Sequence, residues 1–572
     1  MKQKIFRPVL FEMLKNKHYS KQKFISDFIA GIIVAVVALP LAIAFGIASG
    51  VSPQQGLITA IVAGFLMSFL GGTNTLIGGP TGAFIVIVYG VVAQFGVPGL
   101  LIATIMAGIL LVMMGVFKIG SIIRFIPYPI VVGFTSGIAV TIFTTQIKDF
   151  LGLQVAPESS TFLSQWYCYF TNIAAIQWHE MLLSVLCILM IVFTPKITKK
   201  IPGSLFAIIL GTGVSLYCSS MHGLNFTTIG SKFPELAQGV SLPMPSVPEM
   251  NIDLIISLFP SAFTIALLCA IESLLAAMVA DGVTGQKHDS NTELIGQGIA
   301  NIVTPFFGGI PATGAIARTM ASINNGGRTP VAGIVHAVVL LLIFLFLLPF
   351  AVHIPFAALA AILIVVAYNM SEWRSFRYLL KGEKSDVIVL LITFFLTVII
   401  DLTVAIQVGL LMAVLLFVNR VMKTSKVVEL NEQVIAATED EESEDNVNVD
   451  HPTVPEGVEI FQIEGPFFFG LANKIEELDP EIRQKNVEIR IIRMRKVPFI
   501  DSTGVNNLRS LFQRSQKAGI RLILSGVTPE VFATLQKYDL ATEIGEEFIL
   551  SHISLALEKA EQFKKQHLSQ TK

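Results

Sequence analysis

GGPTGA, residues 78–83, recurs in looser form as GGIPATGA at 308–315. Each copy interrupts an apolar stretch with glycine and proline. Each precedes a helical run, 80–90 and 312–322, that is too brief to cross a bilayer, because a spanning helix takes about 20 apolar residues. Irregular backbone at membrane depth is tolerated only where protein buries it or where it lines a watery cavity. A matched pair of interrupted segments is the strongest pointer a sequence gives to a transporter's midplane site. Two short helices that begin inside the membrane leave their first backbone N–H groups without partners, and each N-terminus carries about half a positive charge. Facing one gap, they make a cradle for an anion without a fixed side-chain charge. The expected donors are the amides near Thr81, Gly82 and Ala83 and near Thr313, Gly314 and Ala315, with the Thr81 and Thr313 hydroxyls as further contacts. Close packing of small residues explains one such motif alone, but not two in corresponding positions.

Working outward, twelve longer apolar runs flank these two: 27–49, 55–71, 97–117, 128–148, 180–195, 203–219, 254–280, 291–307, 331–350, 355–370, 386–400 and 402–420. Composition agrees, since 53% of the 572 residues are hydrophobic and only 14% are charged, where a soluble domain carries about 25% charged residues. Net charge is −1, which leaves no basic surface for nucleic acid. Cys168, Cys187, Cys218 and Cys269 lie in or beside apolar runs with neither zinc-site nor disulfide spacing, and read as packing residues. No metal or cofactor site is expected. The first twenty or so residues are mixed and polar, unlike a cleavable signal peptide.

Loop charges test the count. With residues 1–26 inside (Lys2, Lys4, Arg7, Lys15, Lys17, Lys21, Lys23), fourteen crossings place Lys118, Arg124, Lys196, Lys199, Lys200, Lys287, Arg328, Arg374, Arg377, Lys381, Lys384, Arg420, Lys423 and Lys426 inside as well. Only Lys148 and Lys232 fall outside. This positive-inside pattern scrambles if either short helix is left out. The expected architecture is therefore an α-helical polytopic membrane protein of fourteen segments in a seven-plus-seven inverted repeat, with a transmembrane domain over 27–425 and both termini in the cytoplasm of a bacterial inner membrane.

The composition changes after 426. An acidic linker over 426–454 contains TEDEESED at 438–445. From 455 to 565 the pattern is that of a soluble α/β domain: strands within 458–470, 487–494 and 520–526, with helices near 471–479, 503–518 and 528–537.

Few charges lie within the spans. Glu272, in LLCAIESLLAAMVAD, is a functional candidate by position. A carboxyl held away from water is suited to taking up a proton together with the substrate. Arg318, in GAIARTMAS, falls two to three residues inside the second short helix, where it adds positive field to the site or pairs with Glu272. Phe45 follows the Pro40 break in the first span and flanks the site or packs. Asp281 and Asp401 read as caps at span ends.

ALPLAIAFGIASGVSPQQGL (38–57), GGPTGAF (78–84), IESLLAAMVAD (271–281), NTELIGQGIANIVTPFFGGIPATGAIART (291–319) and FIDSTG (499–504) together resemble the SulP anion permeases, bacterial relatives of the solute-carrier 26 transporters, over about 20 to 560. The resemblance implies a mobile core bundle (segments 1–4 and 8–11), a gate bundle (5–7 and 12–14), an anion between the half-helices of segments 3 and 10, elevator-like movement and a homodimer. It also implies a site formed by Phe45, by Thr81 with its following amides, and by the stretch 313–318. Animal members have serine where Ala317 stands, and many relatives have glutamine where Leu41 stands. Sodium-coupled relatives carry Asp at the Glu272 position and a hydroxyl one turn later, where this chain has Ala276. A hard cation wants several oxygen ligands, so proton coupling through Glu272 is favoured. The tail resembles a STAS domain, in which the serine matching Ser502 is a phosphorylation site in bacterial anti-sigma-factor antagonists. A helix start accommodates phosphate, while plain capping by Asp501, Ser502 and Thr503 is the simpler role. A cytoplasmic protein partner is a further implication.

The leading function is proton-coupled secondary transport of a small inorganic anion, with sulfate first. Bicarbonate or a dicarboxylate (with sodium coupling as an option), a nucleobase permease and a membrane-anchored signalling scaffold are the alternatives. No nucleophile–base pair or phosphate loop is placed for enzyme chemistry.

Overall fold

The computed structural model describes residues 6–15, 19–120, 127–155, 161–197, 202–238, 251–430, 454–469 and 487–570. The acidic run 438–445, the helix expected near 471–479, and Lys2, Lys4, Lys17, Arg124, Lys199 and Lys200 lie outside them. Two compact units divide the chain, Met1–Ala413 and Val414–Lys572.

In the first unit, local chemistry sets each helix end. Segment 1 (Lys21–Ala48) starts where the Ser20 hydroxyl accepts from the Lys23 amide, and Pro40 removes one helix hydrogen bond midway. Segment 2 (Pro53–Leu70) opens with a reciprocal Ser52–Gln55 capping box and Pro53 in its first turn. Segments 3 and 4 come from one run, Gly82–Val116, broken at Gly96, whose φ of 69° suits glycine. Segments 5 to 8 are Tyr128–Phe150, Trp178–Ile197, Gly203–His222 and Ile252–Thr284. Segments 9 to 11 are Ser290–Val303, Ile316–Asn324 and Pro330–Leu347. Segments 12 to 14 are Phe356–Met370, Lys384–Ile399 and Leu402–Thr424, the last reaching into the second unit. Ten described helices are long and apolar enough to cross a membrane, one of them holding two segments. The short segments 9, 10 and 13 complete the expected fourteen.

Two bundles form. Segments 1, 2, 4, 8, 9, 10 and 11 pack on one another, and segments 5, 6, 7, 12 and 13 pack separately. Without a hydrophobic drive between helices in lipid, close approach of backbones supplies the attraction. A side chain on Gly108 would lie 2.7 Å from the Gly298 carbonyl, and one on Gly298 would lie 2.6 Å from that of Gly108, so segments 4 and 9 meet backbone to backbone.

Asp27 ties segment 1 to segment 11. Its Oδ1 accepts from the Arg328 amide at 2.7 Å and the Thr329 amide at 3.2 Å. Its Oδ2 accepts from the Thr329 hydroxyl at 2.6 Å and from Tyr19 at 3.0 Å. Burial and the neighbouring carboxylate push the Tyr19 phenol above its ordinary value. Asp27 is fully buried, so the bonds it accepts are what make its charge tolerable.

The second unit holds a five-stranded sheet in the order β3-β4-β5-β6-β7 (Lys426–Glu429, Val458–Glu464, Ile489–Lys496, Arg521–Ser525, Ile549–Leu550). The β3–β4 pair is antiparallel and the other pairs are parallel. Helices Ser502–Lys517 and Pro529–Lys537 bury Leu508, Leu511 and Leu535 against one face, and Ile553–Gln570 packs Ala556 and Ala560 on the other. Residues 426–429, expected within the linker, form a strand: four residues are too few for alternation to register, and pairing with β4 fixes them. The short helices Phe162–Thr171 and Trp373–Leu379 are additions that the sequence does not announce, since neither has a membrane-length apolar run.

Replacing Asp27 by Ala strips the Thr329 cap and the Tyr19 hydroxyl of their acceptor. The expected loss is about 2–4 kcal/mol, read as a lower thermal midpoint of the detergent-purified protein; an unchanged midpoint would remove Asp27 from this role.

Candidate anion site

The two interrupted motifs meet. β1 (Gly78–Gly79) and β2 (Thr313–Gly314) pair antiparallel, with Gly78 opposite Gly314 and Gly79 opposite Thr313. The Ala315 amide donates to the Ile77 carbonyl at 2.9 Å, and the Ile77 amide donates to the Thr319 hydroxyl at 3.1 Å. Arg318, the third residue of segment 10, sends its guanidinium back across the pair to the carbonyls of Gly78 (3.3 Å) and Pro80. It therefore stitches the crossing through backbone rather than pairing with Glu272. Gly79 is glycine for two reasons: its φ is +146°, and a Cβ there would collide with the Arg318 fork.

At the first end, Thr81 is extended and precedes the turn Gly82–Phe84 that leads into segment 3. Its hydroxyl makes no cap. It donates instead to Glu272 Oε2 at 3.0 Å, joining the half-helix to segment 8. Gly82 and Ala83 open the turn, where the first amides have no acceptor behind them. A side chain on Gly82 would meet Met370 Sδ at 2.7 Å and Phe45 Cε1 at 3.5 Å. Phe45 thus forms a buried wall from segment 1, and Met370, the last residue of segment 12, reaches the same point from the other bundle.

The second end differs from expectation. The Thr313 hydroxyl lies 2.5 Å from Ser273 Oγ and donates to the Cys269 carbonyl at 3.1 Å. The Gly314 amide donates to Ser273 Oγ at 3.0 Å, and the Ala315 amide is held by Ile77. The donors expected at Thr313, Gly314 and Ala315 are therefore spent on the scaffold. The physical reason is that Thr313 and Gly314 go extended to pair with β1, which delays the helix to Ile316. The open end is the first turn beyond Ala315, which has no side-chain cap, with Ile316 and Ala317 exposed and Arg318 buried.

A buried polar chain holds β2 from behind. Ser273 donates to Gln297 Oε1 at 2.6 Å, and Gln297 Nε2 donates to Glu293 Oε1 at 3.0 Å. Glu293 Oε2 accepts from the Gly72 amide at 2.9 Å and from Thr73 at 2.8 Å. Asn301 brackets Ala312, its amide nitrogen donating to the carbonyl and its oxygen accepting the N–H, both at 2.9 Å. The sequence held a signal for this set: Glu293, Gln297 and Asn301 recur every four residues, on one face of segment 9.

In the second unit, Asp501 caps the helix Ser502–Lys517 by accepting from the Gly504 amide at 2.7 Å. Ser502 and Thr503 are exposed at its start.

Residues 24–393 match the model of the sulfate permease family, and residues 452–560 match the STAS domain. The chain belongs to the sulfate permease family. Over 94% of its length the permease is 40% identical to YvdB of Bacillus subtilis (strain 168), whose name marks sulfate transport as a provisional assignment, and it covers 98% of that protein. It is 30% identical to the bicarbonate transporter BicA of Synechocystis sp., with 88% of each chain covered. Among solved structures, murine Slc26a9, an anion transporter captured in the inward-facing state, superposes with a TM-score of 0.84 at 17% identity, over 98% of the permease and 96% of that chain. That likeness is one of fold.

Gly79→Ala tests the crossing. Its φ of +146° alone costs about 1–3 kcal/mol for any other residue, and the displaced Arg318 leaves carbonyls unpaired. The variant should purify with a lowered thermal midpoint and lose transport; a variant as stable and active as the parent would contradict the assignment.

Proposed function

We propose that the permease carries a small inorganic anion, sulfate first, into the cell together with a proton. The observation that carries this reading is the 3.0 Å bond from Thr81 to Glu272. The ionised carboxylate occupies a hydroxyl at the mouth of the half-helix and opposes any second negative charge there. A proton on Glu272 removes that charge and frees the Thr81 hydroxyl. Proton and anion then bind best together, which is the requirement for symport. The Gly82 and Ala83 amides on one side, and the first-turn amides of segment 10 on the other, supply donors aimed by two helix N-termini. Ala276, one turn beyond Glu272, offers no side-chain oxygen to a sodium ion.

Movement of the bundle that holds both half-helices against the bundle that presents Met370 would carry the site across the membrane. Family membership supports this elevator-like reading, a homodimeric assembly and a bacterial inner-membrane location with both termini cytoplasmic. The exposed Ser502 suits phosphorylation that regulates transport or recruits a cytoplasmic protein partner, since a phosphate there would lie at a helix start.

Proteoliposomes given an inward proton gradient should accumulate labelled sulfate. Glu272→Gln should lose gradient-driven uptake by tenfold or more while sulfate counterflow persists. Accumulation of bicarbonate in place of sulfate would reassign the substrate, and gradient-driven uptake by Glu272→Gln would remove the carboxyl from coupling.

A further inference from the structure

Lys148 and Lys232 are the only lysines or arginines that the loop-charge reading places outside, and they are 84 positions apart in the chain. Both line one cavity of about 280 Å³. Its walls come from both bundles: Ala44 and Ala48 of segment 1 and Tyr89 of segment 3 on one side, Lys148 of segment 5 and Phe356 of segment 12 on the other. Ala44 adjoins Phe45, the wall of the anion site, so the cavity leads from the outer face toward that site.

Lys232, although 42% exposed, makes two contacts at this cavity. Its Nζ lies 3.8 Å from the centre of the Phe356 ring and 3.3 Å from Asp149 Oδ1. The charged lining residues are two lysines and one aspartate, which leaves one net positive charge. A concave, partly apolar wall focuses such a field and raises the local concentration of the opposite charge.

We propose that this cavity is an outer capture site for the transported anion, in which Lys232 and Lys148 receive the anion and Asp149 is the internal counter-ion it displaces from Lys232. The inference rests on the transport reading above and adds a second, outward binding station to it. An arriving oxyanion exchanges places with the Asp149 carboxylate on Lys232, then passes Tyr89 and Ala44 toward the half-helix mouths. Loss of Lys232 weakens capture from outside and leaves the inner steps unchanged.

Two readouts test it. In a variant with the four native cysteines replaced by alanine and Ala48→Cys introduced, a negatively charged methanethiosulfonate should react faster than its positively charged counterpart, and sulfate should slow the reaction. Lys232→Met should cut the anion-over-cation rate ratio by about threefold or more, while Lys232→Arg preserves it. In right-side-out proteoliposomes Lys232→Met should raise the KM for sulfate by a similar factor at unchanged maximal rate, and Asp149→Asn should lower it. A rate ratio indifferent to Lys232→Met overturns the capture site even if sulfate uptake is intact. A ratio that falls as expected in a protein that transports no anion upholds an anion-binding cavity at Lys232 but removes the transport reading and, with it, the cavity's role in capture.

Discussion

The crossing of two extended segments inside the membrane is the constraint on which the rest of the structure depends. Backbone that is neither helix nor closed sheet must find partners within the protein at that depth. Here the antiparallel pair of β1 and β2 satisfies part of it, and the guanidinium of Arg318 satisfies the carbonyls of Gly78 and Pro80. Ser273 and Asn301 take up polar groups of β2 and Ala312 from behind. Just beyond these paired groups, neither Thr81 nor Ala315 supplies a side-chain cap to the helix start that follows it.

Arg318 adds a positive charge close to both half-helix starts, yet its hydrogen bonds go to the scaffold. Glu272 has the opposite character: it sits on segment 8 and takes a hydroxyl from the first half-helix. In the symport proposed above, that shared contact is what links neutralisation of the carboxylate to anion occupancy.

The sequence made the fourteen segments legible because membrane-length apolar runs and loop charges are independent signals that agree. The paired motifs were legible because glycine and proline do not interrupt a span without reason. Register within the second motif was not legible. Whether Thr313 and Gly314 begin a helix or extend a strand depends on a partner more than 230 residues away, and no local propensity encodes that choice. The Glu293, Gln297 and Asn301 face was present as a four-residue spacing but was masked by the apolar character of the run. Met370 and the cavity shared by Lys148 and Lys232 depend on how two bundles meet, which hydropathy does not report. In the second unit, alternation located β4, β5 and β6, whereas β3 was too short to show it.

The central claim is that anion and proton bind together because Glu272 guards the half-helix mouth. The most direct measurement is the proton balance of binding: add sulfate to purified permease in weakly buffered medium near neutral pH and follow the pH. Net proton uptake by the parent protein, absent from Glu272→Gln, is the predicted result. Sulfate binding with no proton taken up, or with protons released, would contradict the account.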